Sequence, residues 1–147
     1  MAKPFSIFEV SYEVCNKVGG IYSLLKSKAP YMVREYGSEY LAVGPYMPDS
    51  AAAEFQEKDT PEDVAPVVDE LLSKGIKCHC GVWLTEGRRN ALLLDYSGYF
   101  HEANAIKKRL WEFAKVDSLY ADSWFVDPLV WSTAVGFLLD RILNRRD

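Results

Sequence analysis

The feature that most constrains the fold is a junction near the start of the chain. An apolar run, Phe5–Val10, leads through Ser11–Asn16 to Lys17-Val18-Gly19-Gly20. From there Ile21, Leu24, Leu25, Ala29, Met32, Val33 and Tyr36 recur at helical spacing. This order predicts a strand, a glycine turn and an amphipathic helix from Gly20 to Tyr36, with Gly37 as its stop. Pro30 falls inside the stripe and removes one intrahelical hydrogen bond, so a kink or two shorter helices are expected there. A helix start carries unpaired N–H groups and a partial positive charge. Glycines that let a ligand approach it, with Lys17 beside them, suit a diphosphate.

The pattern then repeats in kind. Tyr40–Gly44 reads as a second strand closed by Pro45, and Met47–Lys58 as a surface connection to which the pattern assigns no structure. Thr60-Pro61-Glu62-Asp63 has the residues that open a helix, with Val64, Val67, Val68, Leu71 and Leu72 as its buried stripe and Gly75 as its end. Ile76–Leu84 and Asn90–Tyr96 flank Glu86-Gly87-Arg88-Arg89 and predict an antiparallel hairpin. Ile106, Leu110 and Phe113 mark a shorter helix, and Leu129–Leu143 is apolar on nearly every side, as in a helix packed between layers. Strands alternating with helices imply an α/β fold of three layers, with a mostly parallel sheet and a local antiparallel hairpin. In such sheets ligands bind beyond the carboxyl ends of the strands, where the Lys17–Gly20 turn falls.

At 147 residues, 49% of them hydrophobic, the chain has the length of one domain and enough apolar surface for a core. Seventeen basic against twenty-one acidic residues leave no cationic excess to neutralise phosphates, which argues against nucleic-acid and anionic-membrane partners. The longest uncharged apolar stretch, Pro128–Leu139, is too short to cross a bilayer, and Glu9 interrupts any leader-like run. Three cysteines without such a leader point to free thiols in the cytoplasm.

Other chemistry finds little support. The turn is neither the Gly-x-Gly-x-x-Gly dinucleotide fingerprint nor a P-loop, and two glycines at a strand-to-helix junction also serve tight-turn geometry alone. Cys78 and Cys80 face one side of a strand and His79 the other, so the three cannot converge on a metal ion. No Ser/His/Asp arrangement can be built on His101. Glu9 and Glu13 flank the turn; they suit a sugar hydroxyl or a reacting centre, and equally a pairing with Lys17 or a cap on backbone groups. Trp83, Trp111, Trp124 and Trp131 suit core packing first and sugar stacking second.

Phe8-Glu9-Val10, Glu13-Val14 and Asn16-Lys17-Val18-Gly19-Gly20-Ile21-Tyr22 resemble the opening motif of the glycogen synthase family of animal and fungal type. Lys26–Ala29, Val43-Gly44-Pro45-Tyr46, Ser73-Lys74-Gly75, Gly81, Trp83-Leu84 and Glu86-Gly87 match further blocks in order. Val82 and Thr85 replace the family's arginine and isoleucine, and Trp124–Pro128 matches loosely. The resemblance implies a GT-B glycosyltransferase, in which two Rossmann-like domains enclose the active site. By the same resemblance residues 1–147 are expected to form the N-terminal one, as a single incomplete domain that stops before the C-terminal domain and its carboxylate pair.

The implied reaction moves glucose, with retention, from a nucleotide sugar to the nonreducing end of an α-1,4-glucan. UDP-glucose is the expected donor and ADP-glucose the other candidate, with no metal or cofactor. Lys17, Val18, Gly19 and Gly20 are the implied diphosphate and glucose contacts, Glu9, Glu13 and Tyr22 lie in the sugar or acceptor vicinity, and no catalytic residue falls in this fragment. Its activity would need the missing C-terminal domain, or the chain would self-associate through the uncovered surface. The alternative is a stand-alone module that binds anions or glucan without chemistry.

Overall fold

A computed structural model describes residues 7–145. Phe5 and Ser6 of the first expected strand, and Arg146, lie outside the described residues. The elements in chain order are β1 (Ile7–Val10), α1 (Gly20–Tyr36), β2 (Tyr40–Pro45), α2 (Pro48–Glu54), β3 (Phe55–Glu57), α3 (Ala65–Ser73), β4 (Lys77–Trp83), β5 (Asn90–Asp95), α4 (Ala103–Ala114) and α5 (Ser123–Asn144). The α/β class is the observed one. The sheet runs β1-β2-β5-β4-β3, with β1 parallel to β2 (Ile7 opposite Tyr40), β2 parallel to β5 (Leu41 opposite Asn90) and β3 antiparallel to β4 (Phe55 opposite Trp83). The Leu84–Arg89 connection is far too short for a crossover, so the neighbouring β4 and β5 form the expected hairpin, closed by a 3.0 Å bond from Trp83 N–H to the Arg89 carbonyl.

The described residues group into two compact units, 7–65 with 78–95 and 66–77 with 96–145. In the first, Val14, Cys15, Tyr22, Leu25, Ala42, Ala51, Trp83, Ala91 and Leu93 form one buried cluster, so α1 and α2 cover the sheet face that carries Ala42, Ala91 and Leu93. The small residues on that face let the helix come close. Pro30 does not divide α1, which runs unbroken from Gly20 to Tyr36. The hairpin turn packs against it instead: a Cβ on Gly87, whose φ is +93°, would come within 3.0 Å of Pro30.

Two elements, α2 and β3, occupy most of Met47–Lys58, the connection whose structure the sequence left open. The Thr60-Pro61 signal falls short of its helix. The Val64 and Ala65 amides both bond the Pro61 carbonyl in a turn, and α3 begins at Ala65, with Pro66 as its second residue. Of its expected stripe, Val67 and Leu71 are buried but Leu72 is 57% exposed.

In the second unit α5 buries Val130, Trp131, Ala134, Val135, Leu138 and Ile142, and begins earlier than its apolar run suggests, at Ser123. Leu143 is exposed, so α5 is not enclosed on every side. α4 buries Ile106, whereas Phe113 points to solvent. Gly75 and Gly98 bring their backbones into a contact that leaves no room for a methyl group; a Cβ on Gly75 would lie 2.2 Å from the Gly98 carbonyl oxygen. Among the described residues, no helix is long and apolar enough to cross a membrane.

Candidate functional site

The Lys17–Gly20 turn follows the carboxyl end of β1 and opens α1. Its seat is set by a residue on the next strand. At Gly44 of β2 an added Cβ would lie 2.6 Å from Val14 Cβ and 2.7 Å from the Val14 carbonyl oxygen, so only glycine lets the 11–16 segment lie against the sheet. The segment is pinned there. Val14 and Cys15 are buried, Asn16 Nδ2 donates to the Tyr12 carbonyl at 3.0 Å, and the Ser11 N–H bonds the Val43 carbonyl at 3.1 Å. Burial pushes the Cys15 thiol well above its ordinary pKa, with the charge of Glu54 adding and that of Arg89 opposing, so this cysteine is a neutral packing group.

Beyond Asn16 the chain turns outward, and Lys17, Val18, Gly19 and Gly20 are all exposed. Gly19 is the N-cap of α1 in extended conformation and has no side chain with which to cap. Glu13 does so from a distance: its Oε2 accepts the Gly19 N–H at 2.9 Å and the Tyr22 N–H at 2.8 Å. The structure therefore brings Glu13, Gly19 and Tyr22 together at the helix start. Of the two possibilities left open for Glu13, its geometry is that of the cap on backbone groups.

Tyr22 turns its ring inward. Its hydroxyl donates to Glu54 of α2, which also accepts from Trp83 Nε1 at 3.2 Å, and the Tyr22 and Trp83 rings meet at 5.8 Å between centroids. Burial first, and the Glu54 hydrogen bond second, push this phenol well above its ordinary pKa. It stays protonated and fixes the first turn of α1 to α2 and β4.

Glu9 belongs to a different cluster. Its carboxylate accepts from the Tyr40 hydroxyl, pairs with Lys28 and lies 4.0 Å from Arg89 Nη1. Arg89 is 1% exposed; its Nη1 donates to the Leu25 carbonyl at 2.8 Å and the Tyr40 hydroxyl at 3.0 Å, and its guanidinium lies 3.9 Å over the Trp83 ring. Composition gave no hint that one arginine of an Arg-Arg pair is a core residue. Glu54 was equally hidden, inside the segment to which the sequence pattern assigns no structure.

Cys78, His79 and Cys80 are all buried in β4, and no group of three or more metal-ligating side chains occurs among the described residues. His79 stacks on Tyr46 at 3.7 Å and its Nδ1 lies 2.9 Å from Glu57. Trp83 and Trp131 are buried, whereas Trp111 and Trp124 are 51% and 87% exposed. Trp111 lines a cavity of about 360 Å³ within the second unit, together with Asn104, Lys107, Asp117 and Ser118; no residue of the glycine turn lines it.

A mostly parallel α/β sheet with an antiparallel part, whose first strand delivers a glycine-led helix start, is a Rossmann-like arrangement. The chain belongs to the glycogen synthase family, whose profile, described as "Glycogen synthase", matches residues 9–147. It is 36% identical over 134 residues to the glycogen [starch] synthase of Neurospora crassa, which covers 90% of this chain and 19% of that protein. Isoform 1 from Saccharomyces cerevisiae is 34% identical (92% of this chain, 20% of that protein), and the human liver enzyme 31% identical (96% and 20%). The chain thus spans about a fifth of the length of these relatives.

Proposed function

We propose that this chain forms the corner of a retaining glycosyltransferase that receives the donor's diphosphate, in an enzyme moving glucose from UDP-glucose to the nonreducing end of an α-1,4-glucan. The observation that carries this is the exposed Lys17–Gly20 turn at the start of α1, in a chain matched to the glycogen synthase family from residue 9 onward. As the bond between glucose and the diphosphate breaks, negative charge gathers on the departing phosphate. Lys17 supplies a cation and the first amides of α1 supply donors, so the step needs no metal ion or other cofactor. The carboxylate pair and the nucleotide-holding domain come from a separate part of the enzyme. Its three free cysteines suit a reducing compartment, and we place it in the cytoplasm.

The test is to fuse the chain to the C-terminal portion of the Neurospora relative and follow glucose transfer into glycogen. Lys17→Ala should lower the rate about a hundredfold, equivalent to about 3 kcal/mol of lost transition-state stabilisation. An active fusion whose rate ignores the substitution would refute the role of Lys17.

A further inference from the structure

The first turn of α1 presents backbone amides at Gly19, Gly20, Ile21 and Tyr22, and Glu13 already holds the outer two, at 2.9 and 2.8 Å. The carboxylate does not arrive there by chance. The Glu13 amide itself bonds Ser11 Oγ at 3.1 Å, and Glu13 Oε1 lies at ordinary contact distance, 3.4 Å, from where a Cβ on Gly19 would stand, so the carboxylate lies directly across the helix start. Gly20 and Ile21 are left, both exposed and following Lys17 and Val18 on the open side of the turn.

We infer that Glu13 is a positioning residue: by occupying the Gly19 and Tyr22 amides it directs an incoming diphosphate to Gly20, Ile21 and Lys17, and its charge loosens the hold on the discharged nucleotide. The inference rests on the diphosphate reading of the turn given above. Its second half follows from charge. When the glucose–phosphate bond breaks, the bonding electrons remain on the phosphate, and the product diphosphate carries one more negative charge than the donor. A fixed carboxylate beside the seat therefore repels product more than substrate. Glu13 both fixes the turn and hastens release.

The experiment uses the chain itself, titrated with UDP and with UDP-glucose while its backbone amides are followed by nitrogen-15 NMR. In the wild type the Gly20 and Ile21 amide signals should move on addition of UDP while those of Gly19 and Tyr22 hold their places. Movement of Gly19 and Tyr22 instead would mean that the anion displaces Glu13, and would overturn the assignment. Glu13→Gln keeps an oxygen for the two amides but removes the charge; it should tighten UDP about tenfold and UDP-glucose by less. Equal tightening of both ligands, or none, overturns the release role even if Lys17→Ala still weakens UDP in the wild type, in which case the diphosphate reading survives. If Lys17→Ala has no effect and neither Gly20 nor Ile21 responds to UDP, both fall together. Should Glu13→Gln fail to fold, the wild-type shift map alone decides where the anion sits.

Discussion

Replacing Arg89 with alanine is the sharpest test of how the first unit holds together. The side chain is 1% exposed, and its Nη1 makes two hydrogen bonds, to the Leu25 carbonyl at 2.8 Å and the Tyr40 hydroxyl at 3.0 Å. Hydrogen bonds from a charged donor contribute about 1.5–3 kcal/mol each. The Trp83 ring, 3.9 Å from the guanidinium carbon, adds about 2 kcal/mol for a desolvated cation–π contact. Against these stands the cost of burying the cation, several kcal/mol, made worse because Nε and Nη2 have no hydrogen bond among the described residues.

Truncation leaves a void beside Trp83 and strands the groups that Arg89 had satisfied, so Arg89→Ala should cost about 3–5 kcal/mol. At this chain length that corresponds to a fall in Tm of about 6–20 °C. Arg89→Met fills much of the same volume without a charge to desolvate, and should recover at least about 1 kcal/mol of that loss. Urea unfolding followed by circular dichroism measures both. An alanine variant within about 1 kcal/mol of wild type, or a methionine variant equally impaired, would refute the account of Arg89 as the pin between α1, β2 and the hairpin.

Two further predictions follow from close contacts in the same unit. Gly44→Ala places a methyl group 2.6 Å from Val14 Cβ; stability should fall by about 1–3 kcal/mol and the Lys17 turn should shift, seen as lower Tm and altered Gly19 and Gly20 amide signals, while an unperturbed spectrum would contradict the packing. Burial, and then the Glu9 hydrogen bond, hold the Tyr40 phenol in its neutral form and raise its pKa to about 12, from an ordinary value of about 10. Tyr40 therefore contributes full stability below pH about 10 and loses it as pH climbs toward about 12, a decline on the order of 2–3 kcal/mol. Tyr40→Phe should shallow the alkaline slope of urea midpoints, and an unchanged slope would count against this role.

The parallel strands were legible because Tyr40–Gly44 and Asn90–Tyr96 are short apolar runs bounded by turn residues, and the start of α1 because two glycines precede a strong stripe. α2 and β3 were not: three alanines carry no amphipathic signal, and a three-residue edge strand is too short to show alternation. The start of α3 was misplaced because proline tolerates any first-turn position, so Pro61 and Pro66 compete on sequence alone and only the carbonyl of Pro61, spent on a turn, decides between them. Within the site, Lys17 through Gly20 could be picked out by chemistry. The capping geometry of Glu13 could not, because it depends on how residues 11–16 fold back against Gly44. Arg88 and Arg89 look alike in a turn, yet one is exposed and the other enters the core.

Glu54 ends α2 in a stretch whose composition suggests that it is freely exchangeable, yet its carboxylate holds both the Tyr22 hydroxyl and the Trp83 indole. Swapping residues 48–57 between relatives, or lengthening them, would thus reach the first helix without altering a single residue of it. The tolerance of that segment to change is set by where one acid ends up, and loop-length arguments alone would overestimate it.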